Sequence, residues 1–136
     1  MHRTMLIGLV SLIVVGCQLP SERVPLRPLP DDAGPLPYAE LLTRARAQAM
    51  NAQEMYYLDH WQDLEEAAKG LEQTAKHLPK ASEVPANQKD TLPVTAGDLG
   101  KEAVKLREAA HAKDKKKIEE SMNVIHSKVR ELRLDK

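Results

Sequence analysis

Residues 38–78 read YAELLTRARAQAMNAQEMYYLDHWQDLEEAAKGLEQTAKHL, a stretch with no proline and a single glycine, Gly70. Leu42, Ala45, Ala49, Ala52 and Tyr56 recur at spacings of three and four. So do Trp61, Leu64, Ala68, Leu71, Ala75 and Leu78. Apolar side chains at that spacing fall on one face of an α-helix. The step from Tyr56 to Trp61 is five, so the two stripes do not share a register, and the chain is expected to break there. Asp59 is the expected N-cap of the second helix, with Gln62 completing a capping box. Pro79 ends that helix.

The second half repeats the design. Residues 79–94 carry Pro79, Pro85 and Pro93 with Ser82, Asn87 and Asp90, which marks a loop. Helix resumes after Thr95, paired with Asp98 as a capping-box variant. Leu99, Ala103, Leu106 and Ala110 form one stripe. Ile118, Met122, Ile125, Val129 and Leu132 form another, with Asp114 as the N-cap between them. Lys115, Lys116 and Lys117 oppose this break, because the macrodipole disfavours cations in a first turn. The sequence predicts an all-α, antiparallel up-down four-helix bundle over residues 38–134, with helices near 38–57, 60–78, 95–111 and 114–133. The alternative is a long two-helix hairpin in which neither break occurs. In the bundle, the turns near Asp59 and Asp114 share one end.

Composition agrees with helix. Phenylalanine is absent, and Tyr38, Tyr56, Tyr57 and Trp61 are the aromatic residues of the whole chain. The core is left to Leu, Ala, Val, Ile and Met, which favour helix over sheet as a set. The 20 basic and 20 acidic residues balance, so nothing resembles the basic surface that nucleic acid requires. Cys17 stands alone, so no disulfide forms within the chain.

Upstream of the helices lie two other segments. Met1-His2-Arg3-Thr4 is a short basic start, and Met5 to Val15 is an apolar run of 11 residues. That is too short for the roughly 20 residues of a membrane span. With the small Gly16 next, it has the layout of a secretory signal. Val14-Val15-Gly16-Cys17 resembles the bacterial lipobox. The resemblance implies cleavage between Gly16 and Cys17, a diacylglycerol on the Cys17 thiol and an acyl chain such as palmitate on the new amine. Residues 1–16 are then signal peptide. Loss of Arg3 with them leaves the mature chain at a formal charge of −1. Residues 17–37 are then a lipidated cysteine and a tether holding Pro20, Pro25, Pro28, Pro30, Pro35 and Pro37, a composition that favours extended chain. Gln18 after the cysteine implies, in the lipoprotein pattern, the outer membrane of a two-membrane host.

Leu106-Arg-Glu-Ala-Ala-His-Ala-Lys-Asp114 followed by His126-Ser-Lys-Val-Arg130 resembles the last helix pair of the cytochrome c-prime family and of a related soluble b-type cytochrome. The resemblance implies that His126 is a proximal haem ligand. Met122 and Ile125 stand where the haem-attaching cysteines would be, so the Cys-x-x-Cys-His motif is lacking and only non-covalent haem b is compatible. Val129 replaces the family's aromatic residue. Counting turns places His126 opposite residues 41–48, which hold neither Met nor His; Met50 and Met55 lie nearer the other end. The alternative is a boundary histidine half-covered by its neighbours.

His60 and His111 fall near the shared turn end beside Asp59 and Asp114, as a candidate zinc or copper site. No fixed metal spacing accompanies them, and such residues are ordinary near helix ends. The mixed runs Glu65, Glu66, Lys69 and Lys113 to Glu120 read as solvated faces. Met50, Met55, Tyr56 and Tyr57 are either an exposed stripe or, for two of them, core. No catalytic motif is present. The expectation is a lipid-anchored cell-envelope helical module with no enzymatic activity and no required cofactor. Its membrane contact runs through the anchor, an envelope protein is its expected partner, and haem b on His126 is the alternative.

Overall fold

A computed structural model describes residues 26–134. The expected signal peptide, Gly16, Cys17 and the first part of the expected tether lie outside them. The chain forms four helices: α1 (Tyr38–Tyr57), α2 (Trp61–His77), α3 (Leu92–His111) and α4 (Lys115–Glu131). Both breaks form, so the long-hairpin alternative is set aside. Each helix packs on the next in sequence, and α4 closes back on α1 through the least extensive of the four neighbouring contacts. This is the antiparallel up-down bundle. None of its helices is long and apolar enough to cross a membrane.

The stripes are the core. Leu42, Leu64, Leu71, Leu78, Leu99, Leu106, Ile118, Ile125 and Leu132 are all nearly inaccessible, with Ala45, Ala49, Ala68 and Ala103 between them. Tyr38 and Leu41 join them. Tyr56 and Trp61 flank the core, together with Met55. Met50 and Tyr57 are exposed, so the Met/Tyr stripe divides in two. Helices α1 and α2 approach closely at Gly70, where an added Cβ would come 2.8 Å from the Gln48 amide nitrogen. The buried Gln48 Oε1 accepts a hydrogen bond of 2.8 Å from Thr74 Oγ1. That bond holds the amide where only glycine leaves room.

Both tight turns use one device. Asp59 and Lys113 lie in the left-handed region, each at φ 55°. In the first turn the Asp59 amide donates to Tyr56 O and the His60 amide to Met55 O. In the second, Lys113 donates to Ala110 O and Asp114 to Ala109 O. These are paired Schellman motifs, which satisfy the last carbonyls of α1 and α3. Asp59 is therefore not the N-cap of α2. It terminates α1, and His60 takes the N-cap position without a side-chain bond. Asp114 does cap α4, accepting from the Lys117 amide at 3.2 Å. Lys117 Nζ reaches the same carboxylate at 3.5 Å, which offsets the cations in that first turn. Lys115 bonds Asp59 at 3.4 Å and lies over the Trp61 ring at 5.7 Å. The two turns thus share one end.

The start of α3 differs from expectation. Helix α3 begins at Leu92, not after Thr95. Pro93 falls in its first turn, where the missing amide would have had no helical partner anyway. Thr95 is inside the helix, its amide bonded to Thr91 O at 3.0 Å. The α2–α3 loop closes the other end of the bundle. Ser82 exchanges hydrogen bonds of 2.9 Å with Leu36 O and the Tyr38 amide, and Gln88 Nε2 donates to Glu131 O at 3.2 Å.

The larger correction concerns the tether. Residues 26–37 do not stand off from the bundle as a free extended tether. Leu29 is buried in the core cluster and Leu36 packs against it. Arg44 Nη1 donates to Arg27 O at 2.8 Å. Leu26 and Pro28 border the α1–α2 groove beside Asn51 and Met55. The segment is a strap that runs back along α1. Proline removes amide donors, which rules out ladder pairing, but it leaves the leucines free to bury. Replacing Leu29 by alanine is expected to cost about 2 kcal/mol in chemical denaturation of the full chain. A free stalk would show no change.

Candidate functional site

Helix α4 presents Asn123, His126 and Arg130 along one side, at steps of three and four, and Arg133 follows two residues past its end. Helix α1 answers with Arg46, Ala49 and Met50. Together with Val129 and Leu134 these line an open groove of about 920 Å³ along the α1–α4 seam. The seam is where the bundle closes least tightly.

Register follows from the turn end. Tyr56 Oη donates to Glu119 Oε1 at 2.6 Å, and the phenol is pushed up to about 12 by that bond first, then by burial and the Glu119 charge. Counting along two antiparallel helices from this pair sets Met50 level with Ile125 and Arg46 level with Val129. His126 is therefore level with Ala49, one residue beyond the stretch expected opposite it. Met50 shares its groove.

The groove is cationic. Its lining includes three arginines and no carboxylate. None of the three forms an ion pair among the described residues, where charged side chains elsewhere pair freely. Arg133 Nε instead donates to Arg130 O at 3.1 Å, which holds it against the end of α4. Beneath Arg46, the buried Tyr38 hydroxyl has no hydrogen-bond partner. Burial raises its pKa, against the lowering influence of the Arg133 backbone and the Arg46 charge. The His126 imidazole is half-buried. Burial first and the Arg130 charge second hold its pKa below the ordinary value, so it is neutral at pH 7 and keeps a lone pair. The site therefore offers fixed positive charge, an apolar floor and one neutral imidazole.

The other predicted residues do not converge. His60 Nδ1 lies 3.5 Å from Asp63 and His111 Nδ1 3.4 Å from Glu65. These are two separate exposed pairs. Among the described residues no three His, Cys, Asp or Glu side chains are grouped to hold a metal ion. The two imidazoles share an end of the bundle without sharing a site. Sequence reasoning reached His126 and Arg130 as one motif and missed Arg46, Met50 and Arg133 as neighbours. Arg130 carried a signal, being four residues from His126 on one helix face.

The chain matches no protein-family model, and no curated protein or solved structure is significantly similar to it. The cytochrome resemblance therefore rests on the residues quoted for it.

His126 gives the bundle a pH dependence of known sign. A folded-state pKa below the unfolded value near 6.5 stabilises the fold above that pH and withdraws the stabilisation as pH falls through the folded value. Wild-type stability is expected to fall faster than that of His126→Gln between about pH 6.5 and more acidic conditions. Denaturant midpoints measured across that window check it, and parallel curves would refute it.

Proposed function

We propose that this chain is a lipid-anchored cell-envelope protein whose helical bundle is a non-enzymatic interaction module. The observation that carries it is Val14-Val15-Gly16-Cys17, placed directly after a short apolar run and holding the chain's one cysteine. A thiol at that one position is what lipid attachment requires. In a two-membrane host, Gln18 directs the product to the outer membrane. The bundle supports the second half of the reading. Its most distinctive surface holds cations and apolar side chains, which are binding groups, and no acid–base pair.

Several acyl chains make anchoring stable, since each buried methylene contributes about 0.8 kcal/mol and one chain alone is marginal. Mass spectrometry of the native product is expected to show a modified Cys17 at the mature amino terminus. Cys17→Ala is expected to shift the protein out of the detergent-rich phase of a phase split. A bare thiol in the native protein would overturn the reading.

A second reading keeps haem b at the seam. One observation favours it: the neutral His126 imidazole and the Met50 thioether line the same groove, with arginines suited to propionates. Bound haem would supply redox or gas-binding chemistry. This reading ranks second because the groove is open and the core residues Leu41, Leu42 and Ile125 are already fully buried. Haem titrated into the folded protein is expected to give a stoichiometric Soret band that His126→Ala abolishes. A band unaffected by that substitution would remove His126 as ligand.

A further inference from the structure

We propose that the α1–α4 seam docks on the anionic phospholipid headgroups of the membrane that holds the anchor. The inference rests on the lipid-anchor reading and adds a second, electrostatic contact to it.

Three observations converge. The first is charge. Arg46, Arg130 and Arg133 line one groove with no carboxylate among its lining residues, in a chain whose charges balance overall. Arginine's planar fork suits phosphate oxygens, and each cation near an anionic surface adds about fivefold to affinity. The second is amphipathicity. Met50 is 57% exposed and Leu134 52% exposed, and both border the arginines. Apolar side chains beside cations match the boundary between headgroups and acyl chains.

The third is reach. The strap fixes the chain at Leu26, beside Asn51 and Met55 of α1. Nine Cα-to-Cα steps separate Cys17 from Leu26, which span at most about 32 Å. A bundle held that near the bilayer meets headgroups at high effective concentration, so a contact too weak to act alone is populated. Residues 47, 51 and 55 border the strap and 46, 49 and 50 border the seam, so at about 100° per residue the two sets lie roughly 150° apart around α1.

Spin labels on the full chain test this. One is placed at Asn123→Cys in the seam and another at Lys101→Cys, near the α2–α3 surface. The lipidated protein is reconstituted on phosphatidylcholine vesicles and on vesicles rich in phosphatidylglycerol. The Asn123 label is expected to gain collisions with oxygen and lose collisions with an aqueous nickel reagent on the anionic vesicles only. Raised salt, or the triple variant Arg46→Gln/Arg130→Gln/Arg133→Gln, is expected to reverse that change. All three arginines are exposed, and circular dichroism checks that the variant keeps its fold. The Lys101 label is expected to stay aqueous throughout. An Asn123 label equally aqueous on both vesicles overturns the proposal and leaves the seam to a soluble acidic partner. Failure of the wild type to float with phosphatidylcholine vesicles is a failure of the anchor reading instead. The labels are then read in a Cys17→Ala background on anionic vesicles, where the same contrast supports or overturns the seam.

Discussion

Asp59 and Lys113 hold the backbone at φ 55°, and the arrangement of the bundle depends on these two reversals. Each lets the chain leave one helix and start the next within four residues, with the last carbonyls bonded. The left-handed conformation costs a residue with a Cβ about 1–2 kcal/mol. That cost is offset because each reversal brings two apolar stripes face to face. Without the reversals the stripes of residues 38–78 would point away from each other across the five-residue step. The hairpins fix which faces meet, and everything else follows from that.

The absence of phenylalanine shapes what those faces can do. The interior is made of leucines separated by alanines, so the helices approach closely where alanine or glycine intervenes, as at Gly70. Such a core closes well between helices consecutive in the chain. It closes less well between α1 and α4, which no turn joins. Tyr38 reaches across that side, and its hydroxyl is left without a partner. The open seam is thus a product of chain order and side-chain size together, and the arginines occupy the surface that the core leaves uncovered.

Much of the fold was legible in the sequence because its signal is local. A stripe at three-and-four spacing specifies a helix and its buried face within one turn. The misreadings came where one residue type serves two physical roles. Proline marked residues 79–94 as loop, yet Pro93 starts α3, since a first turn does not need its amide. Proline marked residues 26–37 as a stalk, yet Leu29 and Leu36 bury there. Aspartate marked Asp59 as an N-cap, yet its tolerance of positive φ placed it at the end of α1. The site was less legible. His126 stood out, but its neighbours Arg46 and Met50 lie far away in sequence, and only the register set by Tyr56 and Glu119 brings them beside it.

The strap gives this small protein an extensible leash. It is seated by Leu29, Leu36 and the Arg44 contact, whereas the bundle is held by every stripe at once. Tension drawn through the amino-terminal side therefore meets the weaker attachment first. Peeling residues 26–37 from α1 would release up to about 43 Å of additional chain while the four helices stay folded. On the proposed anchor, a load would be taken up by unzipping that contact before the four helices are strained.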